Sequence, residues 1–154
     1  MPSISIVVQP PTRAQASTLL YPYLIAQLTS RRSYAGCYFF AMAVLLAQNG
    51  MVVESLAGET TVTGVDFQAS GSRTSVCFPF TNLWIVHEGT YTIRVDVYRV
   101  LPGDEQTTTY EGQAESSLIT VVRDEVSTGR PSSNERSAIR SLRSAGVSIP
   151  SAPS

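Results

Sequence analysis

One stretch of the sequence decides the fold: residues 88–100 read EGTYTIRVDVYRV. After the Glu88-Gly89 turn, apolar and polar side chains alternate almost without interruption. One face of the predicted strand carries Tyr91, Ile93, Val95 and Val97, and the other carries Thr92, Arg94, Asp96 and Tyr98. Strict alternation over this length predicts an antiparallel strand with one buried and one solvated face.

The start of this strand contains a second signal, the tetrapeptide Glu88-Gly89-Thr90-Tyr91, which follows a predicted strand at residues 83–87. In immunoglobulin-like sandwiches, a tyrosine at such a corner donates a hydrogen bond to backbone a few residues upstream. We therefore predict that Tyr91 is largely buried and bonded in this way. The alternative is that Tyr91 is an ordinary core aromatic.

Short apolar segments surround this strand at intervals of about ten residues, and Pro- or Gly-containing breaks separate them. They cover residues 4–8, 24–28, 37–47, 52–56, 76–80 and 117–123. Ala57-Gly58 is predicted to end the fourth of them, and the polar residues 101–113 are predicted to form a loop turning at Pro102-Gly103-Asp104. This spacing predicts a mainly β fold, an antiparallel β-sandwich of immunoglobulin-like type.

The periodicity changes at the C-terminus and predicts one α-helix. Ser132 and Glu135 have the spacing of a capping box, and Gly146 stands at the position of a C-terminal cap. Between them, apolar residues recur at helical spacing: Ala138, Ile139, Leu142 and Ala145. We predict a single domain over residues 1–149, with the Ser/Pro/Ala-rich end frayed and residues 150–154 as a flexible tail.

Composition excludes several classes of protein. The 154 residues are 43% hydrophobic and 15% charged with a net charge of −1, which excludes wholesale disorder and a basic surface over the whole molecule. All eleven basic residues are arginine, which excludes a Schiff-base or P-loop lysine. Cys37 and Cys77 are predicted to be buried, reduced thiols of a cytosolic or nuclear protein. The sequence shows no signal peptide, and its longest apolar run is too short to span a membrane.

Candidate chemistry is sparse. His87 is the single histidine, and no cysteine lies at ligand spacing from it, so we expect no metal site. Asp104-Glu105 and Asp124-Glu125 are adjacent acids in polar segments, where neighbouring side chains point apart and are solvated. We predict no catalytic residue, no cofactor and no enzymatic activity.

Charge is unevenly distributed along the chain. Eight acids and three arginines lie between residues 88 and 125, whereas four arginines and one acid follow residue 126. Arg13, Arg31 and Arg32 precede the first acid, Glu54. If the two basic ends meet in space, they form a phosphate-contacting face. The alternative is a scatter of solubilising arginines.

Several segments, in this order, resemble the fungal velvet domain. Residues 9–15 (QPPTRAQ) are similar to the family's opening motif Gln-Gln-Pro-x-Arg-Ala-Arg, and residues 22–28 (PYLIAQL) to Pro-Pro-Pro-Ile-Val-Gln-Leu. Residues 78–85 (FPFTNLWI) resemble Phe-x-Phe-x-Asp-Leu-x-Val, and residues 88–94 (EGTYTIR) resemble Glu-Gly-x-Tyr-x-Leu-Arg. The resemblance covers nearly the whole chain.

The resemblance implies a twisted immunoglobulin-like sandwich related to the Rel-homology fold. It also implies a nuclear, and in part cytoplasmic, regulator of fungal development, sporulation and secondary metabolism. Such proteins act in transcription as homo- or heterodimers with other velvet-domain proteins. Some bind DNA through a basic loop after the opening motif. Glu88, Gly89 and Tyr91 match the family's structural motif.

The basic loop of the family is missing here, because residues 15–21 carry no charge. Arg13 carries over from the opening motif, whose second arginine is Gln15 in this chain. Arg13, Arg31 and Arg32 are therefore the candidate DNA-binding residues, and we predict that DNA binding is weak or lost. We expect no membrane and no small-molecule substrate as partners. Two alternatives stay open: a dimerisation module without DNA contact, and an unrelated immunoglobulin-like binding domain.

Overall fold

The chain is mainly β with one short C-terminal helix, as predicted. The computed structural model describes residues 2–32, 34, 36–67, 73–103 and 107–153. In chain order the elements are β1 (Ser3–Val8), β2 (Arg13–Gln15), β3 (Leu24–Ser30), β4 (Tyr38–Ala47), β5 (Val52–Val53), β6 (Leu56–Gly58), β7 (Thr61–Thr63), β8 (Val65–Asp66), β9 (Thr74–Phe80), β10 (Leu83–Ile85), β11 (Gly89–Leu101), β12 (Thr107–Glu115), β13 (Ile119–Val122) and α1 (Ser133–Ser144).

The strands form two large sheets and one small pair. The first sheet has the order β1-β3-β9-β8, and the second has the order β2-β13-β11-β4-β5, with β7 on β4 and β12 on β11. Strand β11 is the centre of the second sheet: β4 pairs along one of its edges, and β13 and β12 follow one another along the other. Strands β6 and β10 pair with each other.

The main core lies between the buried faces of the two large sheets. Side chains of β3 and β9, among them Leu28 and Phe78, meet side chains of β4 and β11, among them Leu45 and Ile93. Burial removes about 25 cal/mol of unfavourable hydration per Å² of apolar surface, so this core is the main stabilising element.

Helix α1 covers the outer face of the first sheet. Leu142, Val147 and Ile149 pack there against Val8 and Ile25. Strand β3 is therefore covered on both faces, which explains why Leu24, Ile25 and Ala26 are apolar and buried in succession rather than alternating with polar residues. The predicted capping box is present, with Ser132 Oγ accepting from the Glu135 amide and the Glu135 carboxylate accepting from the Ser132 amide.

The C-terminal end of α1 follows the predicted pattern, and the chain beyond it is held against the body. Gly146 has φ +95°, and the Val147 amide donates to the Leu142 carbonyl, which forms a Schellman cap. The segment predicted to be frayed is anchored as far as Ser151. The Arg143 guanidinium donates to the carbonyls of Ile149 and Pro150, and the Tyr23 hydroxyl donates to the carbonyl of Ser151.

The prediction of a loop over residues 101–113 was wrong, because most of it is strand β12. Residues 107–115 pair with β11 from Leu101 back to Arg94, with a bulge opposite Val97 and Tyr98. A polar composition misled the prediction, since a strand at a sheet edge has little apolar surface to bury. Strand β11 ends at Leu101, and Asp104 and Glu105 of the predicted turn lie outside the described residues.

The face of β11 that was predicted to be solvated is only partly exposed to solvent. Asp96 is 7% exposed and accepts two hydrogen bonds from Nε and one from Nη2 of Arg94. Pairing with β12 brings further side chains over this position. A carboxylate can be buried here because the arginine compensates its charge.

The segment predicted as one returning strand over residues 52–56 is instead two strands with different partners. Strand β5 pairs with β4, whereas β6 pairs with β10 and includes Ala57 and Gly58, which were expected to end a strand. A Cβ at Gly58, whose φ is +99°, would overlap the carbonyl oxygen of Asn82. The glycine therefore permits a close approach of two strands rather than a break.

The two cysteines are both free, but they differ in burial. Cys77 is fully buried, and burial raises the pKa of its thiol to about 11. Cys37 is half-buried, so its predicted burial is only partly realised. Within the described ranges, no helix is long and apolar enough to cross a membrane.

Candidate functional site

The predicted tyrosine corner is present at the start of β11. Tyr91 is 8% exposed, and its hydroxyl lies 2.9 Å from the Glu88 carbonyl oxygen and 3.0 Å from that of His87. Gly89 has φ +151°, and a Cβ there would lie 2.8 Å from the Tyr91 ring and hydroxyl. The spacing Gly-x-Tyr therefore has a steric cause: the ring folds back over the glycine. The Glu88 side chain points outward and pairs with Arg123 at 3.2 Å.

We expect Tyr91→Phe to lower the free energy of unfolding by about 0.5–1.5 kcal/mol, the usual net value of one hydrogen bond. Tyr98→Phe is the matched control, because the half-buried Tyr98 hydroxyl lies on the outer face of β11 and its loss should cost less than about 0.5 kcal/mol. Urea unfolding of both variants measures the difference. Equal costs for the two variants would show that the corner bond contributes nothing.

Arg13 lies on β2, at the edge of the second sheet, with its side chain exposed. It borders a groove of about 570 Å³ that Arg130 also lines. The basic N-terminal and C-terminal segments thus meet here, but an acid is present too. Glu135 lines the same groove, and its carboxylate accepts from the Gln9 amide at 2.6 Å.

Arg31 and Arg32 lie at the end of β3, where they line a separate groove of about 620 Å³. Arg73, just before β9, completes a set of three arginines there. The other described residues that line this groove have hydroxyl or amide side chains, and none of the described lining residues is acidic. The sequence did not single out Arg73, because only the pairing of Ser30 with Thr74 brings it beside Arg31 and Arg32.

The structure does not bring the three candidate DNA-binding residues onto one surface. Arg13 is level with Thr120, which pairs with Thr90 near the start of β11. Arg32 borders a cavity together with Arg99, near the other end of β11. At about 3.3 Å per residue, the distance along β11 is roughly 30 Å. Arg13 therefore belongs to a different surface from Arg31 and Arg32.

The outer face of β4, β11 and β12 carries a row of aromatic side chains that the sequence analysis did not identify as a site. Phe40, Tyr98 and Tyr110 are cross-strand neighbours, with ring centroids 5.0 Å and 5.4 Å apart. Tyr38 and Met42 flank Phe40 on the same face of β4 and are 43% and 39% exposed. We call these five residues the aromatic face.

The polar groups beside the aromatic face are paired within the protein. Arg94 holds Asp96, and the Tyr110 hydroxyl donates to Gln113 Oε1 at 3.2 Å. Burial of this hydroxyl and the negative charge of Asp96 raise the pKa of Tyr110. The face therefore presents aromatic rings to solvent, with Tyr110 51% exposed. Such a surface is typical of a protein–protein contact.

Residues that could supply catalytic chemistry include one hydrogen-bonded pair, His87 and Ser55. His87 is exposed, and its Nδ1 lies 2.8 Å from Ser55 Oγ. Asp124 and Glu125 are exposed near the end of β13. Among the described residues, no three His, Cys, Asp or Glu side chains are close enough to hold a metal ion.

No protein-family model matches the sequence, and no curated protein is significantly similar to it. Among solved structures, the chain is similar to self-complemented MyfA, the major subunit of Myf fimbriae from Yersinia enterocolitica. The TM-score is 0.31 at 9% identity, covering 77% of this chain and 98% of that chain. The major subunit AggA of aggregative adherence fimbriae type I from Escherichia coli gives 0.29 at 11% identity, with 78% and 96% covered. Scores of this size do not establish a shared fold.

Proposed function

We propose that this chain is a velvet-type regulator of fungal development, sporulation and secondary metabolism, with an immunoglobulin-like fold of the Rel-homology type. It acts in the nucleus as a homo- or heterodimer with other velvet-domain proteins, and not as an enzyme. The order of the motifs in the sequence and the tyrosine corner at Tyr91 support this proposal. The observation that carries it is the aromatic face, because a dimeric regulator needs an apolar contact surface.

The aromatic face suits a dimer interface in composition and shape. Tyr and Phe are enriched in the buried centres of interfaces, and rigid rings lose little entropy on binding. The face lies on three neighbouring long strands, β4, β11 and β12, so a second sheet can lie against it. We expect a dimer that buries roughly 1,600 Å² in total, the standard size of a stable interface.

Sedimentation of the purified chain over a range of concentrations tests this dimer. We expect Phe40→Arg to weaken self-association by about 30-fold or more, since it places an unpaired charge at the centre of the contact, where a hot-spot residue contributes about 2 kcal/mol. Leu118→Arg is the control, because Leu118 is 53% exposed on a different part of the sheet. If both variants dimerise like the wild type, the aromatic face is not the interface.

A heterodimer gives a different result in the same experiment. The isolated chain would then sediment as a monomer, and a co-expressed velvet partner should co-purify with the wild type but not with Phe40→Arg. A monomer that captures no velvet partner would contradict the dimer altogether.

DNA binding by the isolated chain is expected to be weak and without sequence preference. The three candidate DNA-binding arginines lie on two surfaces rather than one, so few phosphates are contacted at once, and each contact contributes about one unit to the salt slope. Fluorescence anisotropy on several duplexes at two salt concentrations measures this. Arg13→Ala should weaken binding equally on every duplex, because a phosphate contact carries no base information. Tight, selective binding would contradict this prediction.

The separation of Arg13 from Arg31 and Arg32 favours a second candidate function, a dimerisation module without DNA contact. In that case the titration shows no anisotropy change at either salt concentration, whereas dimerisation through the aromatic face persists.

A further inference from the structure

A cavity of about 260 Å³ lies between α1 and the segment that holds Tyr21 and Tyr23. Arg136, Arg140 and Arg143 form one side of it. They are spaced at i, i+4 and i+7, so all three guanidinium groups project from one face of the helix. The remaining walls are apolar and come from Pro131, Ile139, Ile149 and Pro150. The cavity is separate from the aromatic face and from the grooves at Arg13 and Arg31.

Among the described residues, no carboxylate pairs with the positive charge in this cavity. Within the described part of the chain, none of its three arginines forms an ion pair, whereas Arg94, Arg99 and Arg123 each pair with a carboxylate. Glu135 is the acidic residue in the first turn of α1, but its carboxylate does not pair with these arginines. It accepts hydrogen bonds from the backbone amides of Ser132 and Gln9.

Two of the three guanidinium groups are held in place without being neutralised. Arg136 donates to the Pro131 carbonyl at 3.1 Å, and Arg143 donates to the carbonyls of Ile149 and Pro150 at 3.0 and 2.9 Å. A guanidinium has five N–H donors, so each keeps donors for a ligand. Arg140 makes no hydrogen bond to the described residues, and its whole donor set is free.

The tyrosines add an aromatic wall to the cavity. Tyr21 is half-buried and packs edge-on against Tyr23, with ring centroids 5.0 Å apart. The Tyr23 hydroxyl donates to the Ser151 carbonyl, so this donor is already used within the protein. The cavity thus has a cationic side and an aromatic, apolar side.

We propose that this cavity binds a phosphate monoester carried on a flat ring. A phosphate presents three terminal oxygens and two charges to several guanidinium forks, whereas a carboxylate uses a single fork. The ring would lie against Tyr21 and the apolar wall. A volume of about 260 Å³, just below the usual range for small-molecule sites, suits a small ligand of this kind.

Isothermal titration with phenyl phosphate tests the site. We expect phenyl phosphate to bind more tightly than inorganic phosphate, which lacks the ring, and than benzoate, which lacks the phosphate. Arg140→Gln should weaken phenyl phosphate binding by about 10-fold or more and leave the midpoint of thermal unfolding unchanged, because the exposed Arg140 makes no hydrogen bond or ion pair with the described residues. Arg130→Gln is the matched control and should bind like the wild type, since Arg130 lines a different groove.

The pH dependence gives an independent readout. The second pKa of a phosphate monoester is about 6, so binding should tighten between pH 5 and pH 7 as the dianion forms. Burial raises the pKa of Tyr23 above its ordinary value, so this hydroxyl stays neutral over that range and the change in affinity follows the phosphate. Equal affinities for phenyl phosphate and inorganic phosphate, or wild-type binding by Arg140→Gln, would overturn the proposal.

Discussion

Replacing Gly58 by alanine is expected to lower the free energy of unfolding by about 3 kcal/mol or more. Two effects add. A residue with a side chain is strained at φ +99°, which costs about 1–3 kcal/mol. The new Cβ also overlaps the Asn82 carbonyl oxygen, and this is backbone that must move, so β6 would be pushed away from β10. Urea unfolding of the purified variant measures the loss.

Gly50→Ala separates the two effects. Gly50 has φ +83°, and no atom lies within 4 Å of the position of its Cβ, so this variant carries the backbone strain alone. It should cost about 1–2 kcal/mol. If Gly58→Ala costs no more than Gly50→Ala, the close approach of β6 and β10 does not constrain this position.

Leu28→Ala is expected to lower the free energy of unfolding by about 2–5 kcal/mol, through lost hydrophobic transfer and the cavity that remains. Leu28 is fully buried between the two large sheets, where it belongs to the main core with Phe78 and Ile93. The tightly paired strands on both sides of it leave the site little freedom to collapse.

Leu118→Ala makes the same chemical change at an exposed position. Leu118 is 53% exposed, so the variant should cost less than about 0.5 kcal/mol. Denaturant unfolding of the two variants under the same conditions gives the comparison. Similar losses in the two variants would mean that residue 28 does not lie in the main core.

Sequence patterns predicted those elements that are determined by residues within a few positions of one another. The alternation from Tyr91 to Val97 placed β11 and its buried face. Ser132 with Glu135, and Gly146 after the last helical turn, placed both ends of α1. The same holds for the Tyr91 hydrogen bond, because its acceptors lie three and four residues upstream. In each case the interacting residues are close in sequence.

The candidate site was only partly predictable. Arg31 and Arg32 could be identified by their charge, but Arg73 joins them only through the pairing of β3 with β9. The aromatic face was hidden in the sequence because β4 is apolar on both faces, so Tyr38, Phe40 and Met42 could not be distinguished from the core residues that alternate with them. Exposure of one face of β4 depends on which elements pack against it.

The sequence by itself determined the mainly β class, the central strand and its corner, and the capped C-terminal helix, since backbone conformation there follows from side chains within a few residues. Tertiary structure alone decided the strand at residues 107–115, the two partners of residues 52–58 and the anchoring of the chain end. It also decided the separation of Arg13 from Arg31 and Arg32. These features depend on contacts between residues far apart in sequence. The polar segment at residues 107–115 is a strand because it pairs with β11, and Gly58 lies within a strand because the Asn82 carbonyl approaches it closely. No periodicity within the segment itself carries that information.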